Sequence, residues 1–99
     1  MWKFVSLAPA TNKTKKWTAT FANGSLRKKV SFGAAGYRDF TTIPDKEQAI
    51  AVRALYRARH GGDNLSIPTS PGALSWYLLW GDSQDLKTNL RAYMELFRL

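Results

Sequence analysis

Of the side chains that carry acid–base, metal or phosphate chemistry, this sequence offers one histidine, seven carboxylates, no cysteine and 15 lysines and arginines. The lack of cysteine excludes a disulfide framework, thiolate zinc sites and cysteine nucleophiles, and a lone histidine excludes a histidine-rich metal site. A general base has to come from His60 or a carboxylate. Asp39 and Asp45 together are the material for a Mg²⁺ site of nuclease type, but two carboxylates with no third and no neighbouring lysine make a thin signature. Structural roles weigh more: Asp39 tying its loop to Arg53 or Arg59, and Arg59-His60 capping the last carbonyls of a helix or pairing with Asp39. Phe32-Gly33-Ala34-Ala35-Gly36 follows a strand but leads into Tyr37-Arg38-Asp39-Phe40 instead of a helix. Its glycines therefore read as turn and bulge residues, not as a phosphate loop. No cofactor and no metal is expected.

The cations are the stronger signal. The formal net charge is +8, and residues 1–33 hold seven basic side chains with no acid at all. Lys13, Lys15 and Lys16 lie before or at the start of one extended run, and Arg27, Lys28 and Lys29 lie in the next. Both arms of a hairpin would thus be charged, and lysines and arginines fanning from a twisted ribbon can follow a phosphate backbone. Contact with six or seven phosphates would lower log K by about 5 to 6 per decade of salt. Lysine is a point charge and not a planar fork, so binding should be indifferent to base sequence. Trp17, inside this cluster, offers a ring for stacking on a base, although its spacing with Ala19 and Phe21 favours core packing. Lys46, Arg53 and Arg57 form a second, helical basic stripe.

Positioning these groups falls to elements that the residue pattern makes plain. Lys16 to Phe21 alternates apolar with polar, Leu26 to Phe32 is rich in β-branched and aromatic residues, and Lys3 to Leu7 reads as a further strand ended by Pro9. Asn23-Gly24 predicts a tight hairpin turn between the last two. Pro44 predicts a helix start, with Asp45 and Glu47 in its first turn, and Gly61-Gly62 a stop after His60. In that helix Ile50, Ala54, Leu55 and Ala58 share an apolar side, apart from the basic stripe. Gly61 to Thr69 reads as a loop. Ser70-Pro71 opens a short apolar helix ending at Gly81, whose Trp76 and Trp80 are core residues before they are a stacking platform. Asp82 or Ser83 then caps a last helix with Leu86, Leu90, Tyr93, Met94 and Phe97 on its packed face. The expectation is α+β: a three-stranded antiparallel meander backed by about three helices in a single domain, with residues 1–33 forming the basic β part and residues 34–99 the helical part. Ninety-nine residues suffice for one domain only. No apolar run approaches the roughly 20 residues that span a bilayer, so no membrane partner is expected.

Four segments in order carry a resemblance: Lys28-Lys29-Val30-Ser31-Phe32-Gly33, Gly36-Tyr37-Arg38-Asp39-Phe40-Thr41, Tyr56-Arg57-Ala58-Arg59-His60 and Ser75-Trp76-Tyr77-Leu78-Leu79-Trp80. Together they resemble a family of small uncharacterised basic proteins encoded by large double-stranded DNA viruses of algae and protists. The middle helix departs from the family pattern, its charged run diluted by Ala49, Ile50, Ala51, Val52, Ala54 and Leu55, and the last helix is longer and more apolar. The resemblance implies a viral origin and a place in the virion or the interior of the infected cell, without secretion, but no biochemical activity. Three functional expectations follow. The first is a non-enzymatic protein binding a polyanion, most simply nucleic acid, through the Lys/Arg-rich hairpin. The second is a minor capsid or cement protein docking on acidic capsid subunits. The third is a small metal-dependent nuclease using Asp39, Asp45 and His60. Apolar surface on the last helix, with Leu96 and Leu99, adds the expectation of a homo-oligomer.

Overall fold

The computed structural model describes residues 1–62 and 65–99. Three strands, β1 (Lys3–Pro9), β2 (Lys15–Asn23) and β3 (Leu26–Ala34), form an antiparallel sheet in the order β1-β2-β3. Three helices follow, α1 (Lys46–His60), α2 (Pro71–Leu74) and α3 (Leu86–Phe97), so the chain is α+β as its pattern predicts. Two residues of the expected loop, 63 and 64, lie outside the described residues.

Alternation decides which sheet face is packed. Trp17, Ala19 and Phe21 of β2 lie opposite Phe32, Val30 and Lys28 of β3 and beside Pro9, Leu7 and Phe4 of β1. Directly opposed residues share a face, so these side chains form the inner face. A register shift between Phe4 and Ser6 inserts Val5 as an extra residue. Without that bulge Leu7 would point to solvent; with it Leu7 returns to the inner face. The hairpin turn falls one residue later than Asn23-Gly24 predicts: Asn23 pairs with Leu26, leaving Gly24-Ser25 as the loop. Only Gly24 there has positive φ, at 60°, which is the pattern of a II′ turn; a I′ turn needs positive φ at both loop residues.

Helix starts follow their caps. Asp45 accepts from the Glu47 amide at 3.1 Å, which places Pro44 before the cap and not inside the helix. Ser70 accepts from the Ala73 amide at 3.1 Å, with Pro71 as first helical residue. The cap of α3 is Asp85, three residues beyond Asp82, and it accepts from the amide and the hydroxyl of Thr88. These hydrogen bonds, led by the Thr88 hydroxyl, lower the pKa of the Asp85 carboxyl.

The face of α1 that meets the core is not the apolar one. Ala49 and Tyr56 are buried, Val52, Arg53 and Arg57 are half-buried, and Ile50 and Leu55 stand 45% and 65% exposed. The cause lies in α2, which widens without a break into a π-helical segment, Ser75–Leu79, closed by Trp80 N donating to Ser75 O. The end of this segment leaves carbonyls that need donors. Arg57 Nη2 donates to Trp80 O at 2.9 Å and Arg53 Nη1 to Gly81 O at 2.8 Å. The Phe40 amide serves Leu79 O, and Asn89 Nδ2 serves Leu78 O at 2.9 Å. The arginine stems add apolar cover, with the guanidinium carbons 4.5 Å from the Phe40 ring centre and 5.2 Å from that of Trp76. Gly81 is required at this junction: a Cβ there would meet Tyr77 O and lie 2.8 Å from Asn89 Cγ.

The core sits between the inner sheet face and these segments, with Phe21, Phe32, Leu74, Leu78 and Tyr93 almost wholly enclosed. Trp80 is buried and stacks on Tyr56 at 4.4 Å, Tyr56 stacks in turn on His60 at 4.3 Å, and Trp17 packs on the cluster's edge. Met94, Phe97 and Leu99 pack against the core, while Leu96 stays 60% exposed. Among the described residues no helix is long and apolar enough to cross a membrane.

Candidate nucleic-acid interface

Turning the aromatic side chains inward puts a different set outward. Across the three strands the outer face reads Lys3, Ala22, Arg27 in one row, Ser6, Thr20, Lys29 in the next, and Ala8, Thr18, Ser31 in a third. Thr18 Oγ1 and Ser31 Oγ are joined at 2.9 Å. The floor of this face is therefore methyls and hydroxyls, its flanks carry three cations, and no carboxylate occurs anywhere in residues 1–33. Short side chains let a phosphate chain approach the sheet, hydroxyls donate to phosphate oxygens, and the flanking cations neutralise them. Arg27 and Lys29 are exposed, and Arg27 Nη1 makes only long contacts, 3.4 Å to Leu26 O and 3.5 Å to Gly24 O.

The nine cations singled out in the sequence do not form one patch. Arg27 and Lys29 belong to the outer face. Lys13 stands exposed in the β1–β2 connection, whose shape is set by Asn12 Oδ1 accepting from the Thr14 amide and hydroxyl. Lys15 is exposed at the first position of β2, opposite Ala34. Lys28 falls on the inner face opposite Phe21; its Nζ donates to Thr69 Oγ1 at 3.1 Å and lies 5.9 Å from the Trp2 ring centre. Lys16 is tied to Asp39, with Nζ to Oδ2 at 2.6 Å and the carboxylate only 2% exposed. Arg53 and Arg57 are committed to the carbonyls after the π-helical segment, and both reach the exposed Asp82 at 3.6 and 3.4 Å. Lys46 is exposed at the first turn of α1, beside Phe40 and Gln84 and away from the sheet.

Asp39 is therefore a structural anchor whose partner is neither Arg53 nor Arg59. Its second oxygen accepts from the amide of Thr41 at 2.8 Å and from the Thr41 hydroxyl. Asp45 is spent on its cap, and His60 stacks on Tyr56. Among the described residues no three His, Cys, Asp or Glu side chains converge to hold a metal ion.

Two groups of cations escaped the site reading. Lys3, opposite Ala22, completes the outermost row, and its Nζ donates to Arg98 O at 3.3 Å. Arg38 and Arg59 stand with Lys15 at the rim of a cleft between the strand ends and α1. Nothing local in the sequence signals that meeting, because it joins β2, the loop after β3 and the end of α1. No curated protein and no solved structure matches the chain. A family model does match, over residues 5–60, a stretch that takes in β2, β3, all of β1 but its first two residues, the Asp39 anchor, α1 and the nine cations considered above. By that match across more than half its length, the chain belongs to a family of unknown function, DUF5754.

Proposed function

We propose that the protein binds nucleic acid, without regard to base sequence, on the outer face of its sheet. The observation that supports this reading is the composition of that face: Lys3, Arg27 and Lys29 around a floor of Ser6, Thr18, Thr20 and Ser31, with no carboxylate in any of the three strands. Acidic side chains are confined to residues 39–95, so none belongs to the sheet face that an approaching polyanion would meet. A genome-associated role in a virus, as the sequence resemblance implies, is chemically consistent with such a surface.

Anisotropy titrations of labelled duplex and single-stranded DNA at two salt concentrations test the reading. Three phosphate contacts predict a fall in log K of about 3 per decade of salt, similar for unrelated sequences. Replacing Arg27 and Lys29 with alanine should reduce that slope by about two. Silence at low salt, or a slope untouched by the double variant, would reject the sheet face. An acidic protein surface would then be the partner to seek.

A further inference from the structure

We infer that the cleft between the strand ends and α1 is a binding site for a nucleoside monophosphate. The cleft has a volume of ≈ 500 Å³, within the range of roughly 300–1,000 Å³ typical of small-ligand sites. Its floor is apolar and largely aromatic, formed by Phe32, Leu79, Tyr56 and Trp80, all of them buried. Its rim carries Lys15, Arg38 and Arg59, all exposed. Among the described residues these three cations have no ion-pair or hydrogen-bond partner. Asp39, the carboxylate among the described lining residues, is already neutralised by Lys16 and saturated by Thr41.

An apolar, largely aromatic floor beneath a rim of uncompensated cations suits a ligand that joins a planar ring to a dianion. Arginine forks match phosphate oxygens in pairs, and a lysine adds a third charge. Tyr37, 74% exposed at the mouth, offers a ring on which a base can stack. Inorganic phosphate alone would leave the apolar floor unfilled, and a nucleoside alone would leave the cations unanswered. The site goes beyond the sheet-face reading and does not depend on it, since neither Arg27 nor Lys29 lines the cleft.

Calorimetric titration at low salt with adenosine 5′-monophosphate, adenosine and inorganic phosphate tests this, with amide chemical shifts to locate the bound ligand. The monophosphate is expected to bind at least tenfold more tightly than either fragment and to shift the amides of Gly33, Arg38 and Gly72. Arg38→Ala combined with Arg59→Ala should weaken it at least tenfold while melting at the wild-type temperature, whereas Arg27→Ala with Lys29→Ala should leave it unchanged. A 5′-phosphorylated dinucleotide distinguishes the sources: affinity equal to that of the monophosphate assigns the site to a strand end, and rejection assigns it to the free nucleotide. The inference is overturned by an absence of saturable binding at millimolar monophosphate. Phosphate binding as tightly as the nucleotide, or the Arg38/Arg59 variant retaining full affinity, would overturn it equally.

Discussion

Arg27 and Arg53 are the same residue in two regions that use it in opposite ways. On the sheet's outer face the guanidinium of Arg27 has solvent around it and only long contacts to nearby carbonyls. On α1 the guanidinium of Arg53 is half-buried, set over the Phe40 ring and spent on the Gly81 carbonyl. Lys29 and Lys16 repeat the contrast, the first exposed and the second locked to a buried carboxylate. What separates the members of each pair is whether a buried acceptor lies within reach, and charge counted along the chain does not reveal that. Committed cations tie β2 to the loop after β3 and α1 to the chain that follows the π-helical segment, whereas Arg27 and Lys29 hold no such acceptor.

The sharpest way to break this division is to remove an acceptor. Asp39→Ala strands the Lys16 ammonium and frees the Thr41 amide, at an expected cost of about 3 kcal/mol, read as a drop in Tm of roughly 12 °C or more in a domain of this size. A melt unchanged by this substitution would place Lys16 among the free cations. Next is Gly81→Ala, which leaves every charge in place but pushes the Arg53 and Arg57 acceptors out of position; about 2 kcal/mol of destabilisation is expected from the overlap with Asn89, measured by urea unfolding. Tyr93→Phe probes a committed group that is uncharged. Tyr93 is buried and donates to Pro68 O, so its loss should cost about 1 kcal/mol. Burial raises the Tyr93 pKa above its ordinary value. Because the folded state holds this proton to higher pH than the unfolded state does, its contribution is complete below about pH 10 and declines as pH rises further. The wild type should therefore lose more stability than the phenylalanine variant between neutral and strongly alkaline pH. Smallest in stability is Arg27→Ala with Lys29→Ala, within about 0.5 kcal/mol of wild type, although this is the pair expected to flatten the salt dependence of DNA binding. A large loss of stability there would mean that the outer cations, too, are structural.

Local pattern made much of this molecule legible. Alternation in Trp17-Thr18-Ala19-Thr20-Phe21 assigns the inner face, Ser70-Pro71 marks a helix start, and the run from Leu86 to Phe97 marks another helix. Where long-range partners decide, the sequence is mute. The hydrophobic side of α1, with Ile50 and Leu55, is the intuitive packing face, yet the carbonyls that end the π-helical segment draw Arg53 and Arg57 inward and turn that side to solvent. The Lys16–Asp39 pair spans 23 positions and cannot be told from the neighbouring lysines by type or spacing. The Val5 bulge has no marker residue; it shows only in the register that brings Leu7 back to the core. On the sheet's outer face Arg27 and Lys29 are legible through alternation, and Lys28, between them, is excluded from it by the same rule.

A sheet of three strands also has two open borders, and each is defended. On β3 the border carries three successive basic residues, Arg27, Lys28 and Lys29. On β1 it is broken by the Val5 bulge near one end and by Pro9, which has no amide hydrogen to offer, at the other. A second copy sliding in to extend the ladder would meet like charge on one side and a kinked, donor-poor backbone on the other. The fold is thereby guarded against edge-to-edge stacking of its copies into fibres.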